Sequence, residues 1–93
     1  MSFEIVWSAR ALRRLNSIRV YVAQDKPDAA EALALRIVTV ADALRTHPQL
    51  GRSGSKPYLR ELIVAGTPYI IVYRVRSKQV LIATVWHAAQ QNK

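Results

Sequence analysis

Cysteine is absent from this 93-residue chain. Without it there is no disulfide framework, no thiolate nucleophile and no cysteine-ligated zinc; a zinc ion would have only His47, His87 and carboxylates to draw on. Three glycines and four prolines are too few for a low-complexity array, and 51% hydrophobic residues exclude a disordered tail. Long apolar runs are also missing. The longest, Ile63 to Tyr73, is interrupted by Gly66, Thr67 and Pro68, well short of the roughly 18 residues that a membrane span needs. Arg10, Arg13 and Arg14 follow Glu4 without a preceding apolar stretch, so the start does not read as a signal peptide and a cytoplasmic setting is expected. The length predicts one domain, residues 1–93.

Acidic residues are scarce: six Asp and Glu face 14 Lys and Arg, a net charge of +8. The imbalance is uneven along the chain. Residues 1–42 carry six basic and five acidic side chains, a net of +1, while residues 43–93 carry eight basic side chains against Glu61 alone, a net of +7. An anionic partner is expected to meet the second half, through Arg45, Arg52, Lys56, Arg60, Arg74, Arg76, Lys78 or Lys93. A solubilising surface would show the same excess.

Hydropathy patterning predicts an α+β fold in the order β-α-α-β-β-β. Phe3 to Trp7 is short, β-branched and aromatic, and Ser8 behind it suits a helix N-cap. From Ala9 to about Gln24, Leu12, Leu15, Ile18 and Val22 recur at helical spacing. Pro27 fits the first turn of a second helix running to about Thr46, with Ala30, Leu33, Ile37, Val40 and Leu44 on one stripe. The short link predicts an antiparallel helical hairpin. A loop from His47 to Pro57 precedes strand-like runs at Tyr58–Ala65, Tyr69–Arg76 and Val80–Trp86, whose short separators predict an antiparallel β-sheet. Tyr69, Ile71, Tyr73 and Val75 then face the hairpin, and Arg74 and Arg76 face away. Arg60, Leu62, Val64, Ala83, Val85 and His87 are placed on the Arg74 face, which is expected to stay open for a partner.

Catalytic chemistry has little to work with. The serines sit at a cap or in turns, no nucleophilic triad is apparent, and Gly51 and Gly54 lack the Walker spacing. No cofactor or metal is implied. Metal-free phosphodiester cleavage needs a proton-transfer group with cations to stabilise the developing charge, for which His87, Arg60 and Arg74 form a minimal set. The same three residues would serve equally as a strand-end histidine and surface ion pairs. Trp86 and Tyr73 fit core or interface positions.

Taken together, Trp7-Ser8 with Ala9 and Leu12, Ile18 and Tyr21, the segment Pro48-Gln49-Leu50-Gly51-Arg52, Arg60-Glu61-Leu62, Tyr69-Ile70-Ile71-Val72-Tyr73-Arg74-Val75, and His87 resemble the RelE/ParE superfamily of toxins from bacterial type II toxin–antitoxin modules. The resemblance covers essentially the whole chain and implies the same helical hairpin on an antiparallel sheet. It implies two alternative activities: RelE-like members cleave messenger RNA on the ribosome, and ParE-like members poison DNA gyrase. Against the ribonuclease pattern, Ile70 stands where a basic residue follows the strand tyrosine, Glu61 and Ile63 replace lysines, and Ala88 replaces a basic residue. A YoeB-like His-Tyr pair is half kept, as His87-Ala88. The ParE branch is therefore the favoured resemblance.

The resemblance implies a cognate antitoxin and a toxin–antitoxin hetero-oligomer, with Leu12, Arg13, Arg14, Leu15 and Tyr21 expected to meet the antitoxin. The target, DNA gyrase or alternatively the ribosome and its mRNA, is expected to meet Arg60, Arg74, Arg76, Trp86, His87 and Gln90 on or beside the open sheet face, with the tail to Lys93. No membrane partner is expected. A plain nucleic-acid-binding module ranks last, because neither an RNA-recognition motif nor a helix-turn-helix pattern is present.

Overall fold

A computed structural model describes residues 2–90. Strand β1 (Glu4–Trp7) leads into helix α1 (Ala9–Ala23) and helix α2 (Pro27–Asp42), which ends in a 3-10 turn (Ala43–Arg45). The strands β2 (Arg52–Ser53), β3 (Arg60–Ile63), β4 (Tyr69–Arg76) and β5 (Gln79–His87) follow, and a 3-10 turn (Ala88–Gln90) ends the described chain. No helix among the described residues is long and apolar enough to cross a membrane.

Local chemistry sets the helix ends. Ser8 caps α1, its Oγ accepting the Ala11 N–H at 3.0 Å and donating to the Ala83 carbonyl at 2.8 Å, so one hydroxyl starts the helix and ties it to β5. Pro27 opens α2, where its missing N–H costs nothing. An Arg19–Glu31 ion pair of 3.1 Å links the helices, but both groups are exposed and its contribution is small.

The sheet order is β1-β5-β4-β3-β2. It is antiparallel from β2 to β5, and β1 joins its far edge in parallel to β5, Trp7 opposite Ile82. Strand β2, two residues inside the segment expected to be a loop, exists because Arg52 and Ser53 pair with Glu61 and Arg60. The strand expected over Tyr58–Ala65 shrinks to Arg60–Ile63 because Leu59 closes turns at each side, donating to Lys56 and accepting from Gly54.

The hairpin covers one face of the sheet. Ala11, Ile18, Ile37, Ala41 and Leu44 from the helical layer pack with Tyr69, Ile71, Tyr73, Val80, Ile82 and Val85 from the strands in one buried cluster. Fully burying a side chain such as Ile37 or Ile71 contributes about 1.5–3 kcal/mol, so this interface is the main source of stability. The small Ala11 and Ala41 are fully buried, letting the helical layer approach closely.

Candidate functional site

Register decides which site residues meet. Opposite β4, Arg60 pairs with Tyr73 and Leu62 with Ile71, so Arg60 lies on the hairpin face and not, as alternation alone suggested, beside Arg74. Strand β5 carries a bulge opposite Val72/Tyr73: Thr84 pairs with Val72, Ile82 with Tyr73, and Ala83 is the extra residue. The bulge switches parity. Val80 and Ile82 face the hairpin before it, Val85 and His87 after it, which places His87 on the hairpin face against Tyr69.

At the Tyr73 end the polar groups satisfy one another. The Arg60 guanidinium donates to the Gly51 carbonyl at 2.7 Å. Tyr73 accepts the Gly51 N–H and donates to the Pro48 carbonyl, each at 2.8 Å. Burial pushes the Tyr73 phenol above its usual titration range, against the opposing influence of the Gly51 bond and Arg60. Arg60 and Tyr73 thus fasten the 48–51 loop to the sheet. A Cβ on Gly51 would stand 2.8 Å from the Tyr73 ring, so only glycine fits there.

The far face carries Arg74 opposite Leu81, Arg76 opposite Gln79, and Trp86 opposite Ile70. It is less open than alternation suggested, with Ile70, Val72, Glu61 and Thr84 all buried. The 54–59 turn accounts for part of the cover: Gly54 approaches Glu61, and Tyr58 and Leu59 wall a groove of about 360 Å³ with Arg74, Val6 and Leu81. Arg52 reaches Glu61 at 3.3 Å. What remains accessible is Arg76, the rim of Arg74, and Ile63 at the other end of the face.

At the His87 end a cavity of about 500 Å³ opens between α1 and the sheet, lined by Arg14, Ser17, Ile18, Tyr21, Tyr69, His87 and Ala89. Arg14 is held by its Nε, which donates to the Val85 carbonyl at 3.1 Å. The Tyr69 and His87 rings meet edge to face, with centroids 5.3 Å apart. His87 Nδ1 accepts the Ala89 N–H at 3.1 Å, and the Ala88 N–H bonds the Pro68 carbonyl, fixing the strand end. Burial raises the Tyr69 phenol above its usual range, Tyr21 adds to the shift and Arg14 opposes it.

The residues assigned above to an antitoxin contact therefore divide. Arg14 and Tyr21 join His87 in the cavity, Leu15 packs into the core, and Leu12 and Arg13 are exposed. Ser17 and Tyr69 were not among the expected site residues. The spacing Arg14, Ser17, Ile18, Tyr21 (i, i+3, i+4, i+7) was a readable signal, since it defines one helix face. Gln90 lies in the closing 3-10 turn, and the expected tail residues Gln91, Asn92 and Lys93 lie outside the described residues.

Residues 5–92 match the family model described as ParE toxin of type II toxin-antitoxin system, parDE. The chain is 51% identical over 87 residues to Y4kP of Sinorhizobium fredii, a protein ascribed a toxin role, covering 94% of this chain and 90% of that one. It is 44% identical to toxin RelE2 of Caulobacter vibrioides, over 94% of this chain and 97% of the relative. Its fold superposes on a chain of the chromosomal ParDE TA system from P. aeruginosa with a TM-score of 0.85 and 22% identity, covering 91% and 95% of the two chains. The chain belongs to the ParE toxin family, within the RelE/ParE superfamily, and is the toxin component of a type II toxin–antitoxin module whose partner is a cognate antitoxin.

Proposed function

We propose that this toxin inhibits DNA gyrase by binding it and carries out no chemistry on nucleic acid. The supporting observation is the dispersal of the minimal ribonuclease set. Arg60 is engaged with Gly51, Arg74 is on the other face, and His87 sits at the opposite end of β4. The four-residue offset between Tyr69 and Tyr73 separates the His87 and Arg60 registers by about 13 Å. One scissile phosphate cannot be in hydrogen-bond reach of all three. The positions where the ribonuclease resemblance calls for cations offer none: Ile70 is buried, Glu61 is buried with Arg52 beside it, Ile63 and Ala88 are apolar.

The proposed gyrase contact is the accessible part of the far face, Arg74 and Arg76 at one end with Trp86 toward the other. His87 belongs to the cavity and Arg60 positions the 48–51 loop. Purified toxin added to a supercoiling and cleavage assay is expected to block supercoiling and trap cleaved DNA, with message intact in a translation extract. Arg74→Glu combined with Arg76→Glu is expected to abolish inhibition while the protein still folds. Cut message with unaffected gyrase would overturn the reading.

The antitoxin is proposed to cover the outer hairpin, where Leu12, Val20, Leu35 and Val38 are exposed. An acidic amphipathic helix suits that surface on a +8 chain. Leu12→Asp with Leu35→Asp is expected to abolish copurification with the antitoxin, and intact copurification would refute this surface.

A further inference from the structure

Among the described residues, each polar side chain lining the cavity at the His87 end can donate a hydrogen bond. Arg14 is oriented through Nε, and its two terminal nitrogens have no protein partner among the described residues. His87 uses Nδ1 as an acceptor, so the proton of the ring resides on Nε2, a donor. Ser17, Tyr21 and Tyr69 add hydroxyls, and the Tyr69 hydroxyl makes no hydrogen bond among the described residues, with Tyr21 and Arg14 acting on it electrostatically. Burial keeps the Tyr69 phenol protonated across the physiological range, so it donates and does not act as a base. No carboxylate lines the space among the described residues.

A site whose described lining has several donors, one fixed cation and no carboxylate selects an oxyanion. The volume adds a second constraint. About 500 Å³ is far more than one carboxylate or one inorganic phosphate fills and lies in the range of small-ligand sites. The walls contributed by Tyr21, Tyr69, Ile18 and Ala89 are largely ring and aliphatic surface, suited to a flat apolar body beside the charged group. Tyr21 is 72% exposed at this site, free to lie against such a body.

We propose that the cavity between α1 and the end of β5 is a nucleotide-sized phosphate-ester site: Arg14 and His87 Nε2 hold the phosphoryl oxygens, and Tyr21 stacks on the base. The ester comes either from a free mononucleotide or from one unpaired nucleotide of a strand. This site is on the opposite side of the sheet from Arg74 and Arg76, and its occupancy is measured without gyrase, so its failure and failure of the gyrase reading are separable.

The test is titration of the full-length toxin with inorganic phosphate, AMP and a short single-stranded DNA, followed by calorimetry and by amide shifts of residues 14–21 and 87–89. AMP is expected to bind with the shifts confined to those segments, and phosphate alone more weakly. Binding of AMP as tight as that of the oligonucleotide assigns the site to free nucleotides. Tighter oligonucleotide binding, with a log–log salt slope near about −0.7 for one phosphate contact, assigns it to a strand. Arg14→Gln is expected to weaken binding about tenfold or more, the loss of a charge-assisted hydrogen bond. Tyr21→Ala, at an exposed position that cannot compromise folding, is expected to weaken AMP but not phosphate. His87→Gln, which retains a donor, is expected to bind better than His87→Phe. No AMP or oligonucleotide binding at about 1 mM, or shifts confined to the Arg74 face, overturns the proposal, as does displacement of the shifts by an acidic peptide alone.

Discussion

The two ends of β4 are built from the same residue types and come out differently. Tyr69 and Tyr73 both point at the helical hairpin, each has an arginine nearby, and burial raises both phenols. At the Tyr73 end the hydroxyl is fully engaged, accepting the Gly51 N–H and donating to the Pro48 carbonyl, and Arg60 adds one bond to the Gly51 carbonyl, so the groups together fasten a loop. At the Tyr69 end the arginine is anchored by its Nε alone, the phenol meets His87 through its ring while its hydroxyl makes no hydrogen bond among the described residues, and a cavity is left. The first arrangement stores stability and the second stores unspent donors. Residue type did not distinguish them; the neighbour across the gap did. A loop carrying Gly51 reaches one tyrosine; among the described residues the space at the other is lined by His87, Ala89 and a face of α1.

Variants at the fastened end should therefore destabilise. Gly51→Ala puts a methyl within 2.8 Å of the Tyr73 ring and 2.9 Å of the Glu61 carbonyl. Overpacking together with disturbed hydrogen bonds is expected to cost about 3 kcal/mol, read as a lowered urea midpoint with unchanged slope. Tyr73→Phe keeps the ring and removes both bonds, leaving the buried Gly51 N–H without its acceptor; about 2 kcal/mol is expected. If Tyr73→Phe were as stable as the parent, the loop would be held by packing alone and the contrast between the ends would collapse.

Much of this architecture could be read from the chain, for reasons that differ by element. The Ser8 cap, the Pro27 start and the span of β4 follow from local chemistry that acts within a few residues. Strand β2 could not be read, because its two residues are held by pairing across to β3 and by no propensity of their own. The parallel β1–β5 pairing joins residues at opposite ends of the sequence. Alternation alone does not give the faces of Arg60 and His87, for two separate reasons. Alternation within β3 leaves a two-way choice that only pairing with Tyr73 resolves. In β5 the bulge at Ala83 reverses the parity that alternation assumes. Register and bulge together disperse Arg60, Arg74 and His87, which strict alternation would put on one face.

Arg60 gives a smaller and more discriminating effect. As a loop fastener, Arg60→Ala is expected to cost about 1.5 kcal/mol, whereas Arg74→Ala on the far face should stay within about 0.5 kcal/mol. Equal stability of the two variants in thermal melts would remove the positioning role from Arg60. Thr84→Val tests the sheet between the two ends: its Oγ1 is buried without a hydrogen-bond partner among the described residues, so replacing it by a methyl is expected to stabilise by about 1 kcal/mol.

Tyr69→Phe is expected to change stability least at neutral pH, by less than about 0.5 kcal/mol, because the hydroxyl it removes has no protein partner among the described residues. Its signature lies in alkali. Both phenols titrate above their unfolded value near pH 10, so the folded state keeps protons that the unfolded chain has already released. Stability is then complete below about pH 10 and declines as pH rises through the folded values. Urea unfolding of the parent and of Tyr69→Phe at pH 8 and again above pH 10 separates the contributions: the variant should lose less stability over that interval, since one of the two perturbed phenols is gone. An identical alkaline loss in both proteins would mean that the Tyr69 phenol is as well solvated in the folded state as in the unfolded one, and the cavity would then lack the partly desolvated donor on which its selectivity for an oxyanion depends.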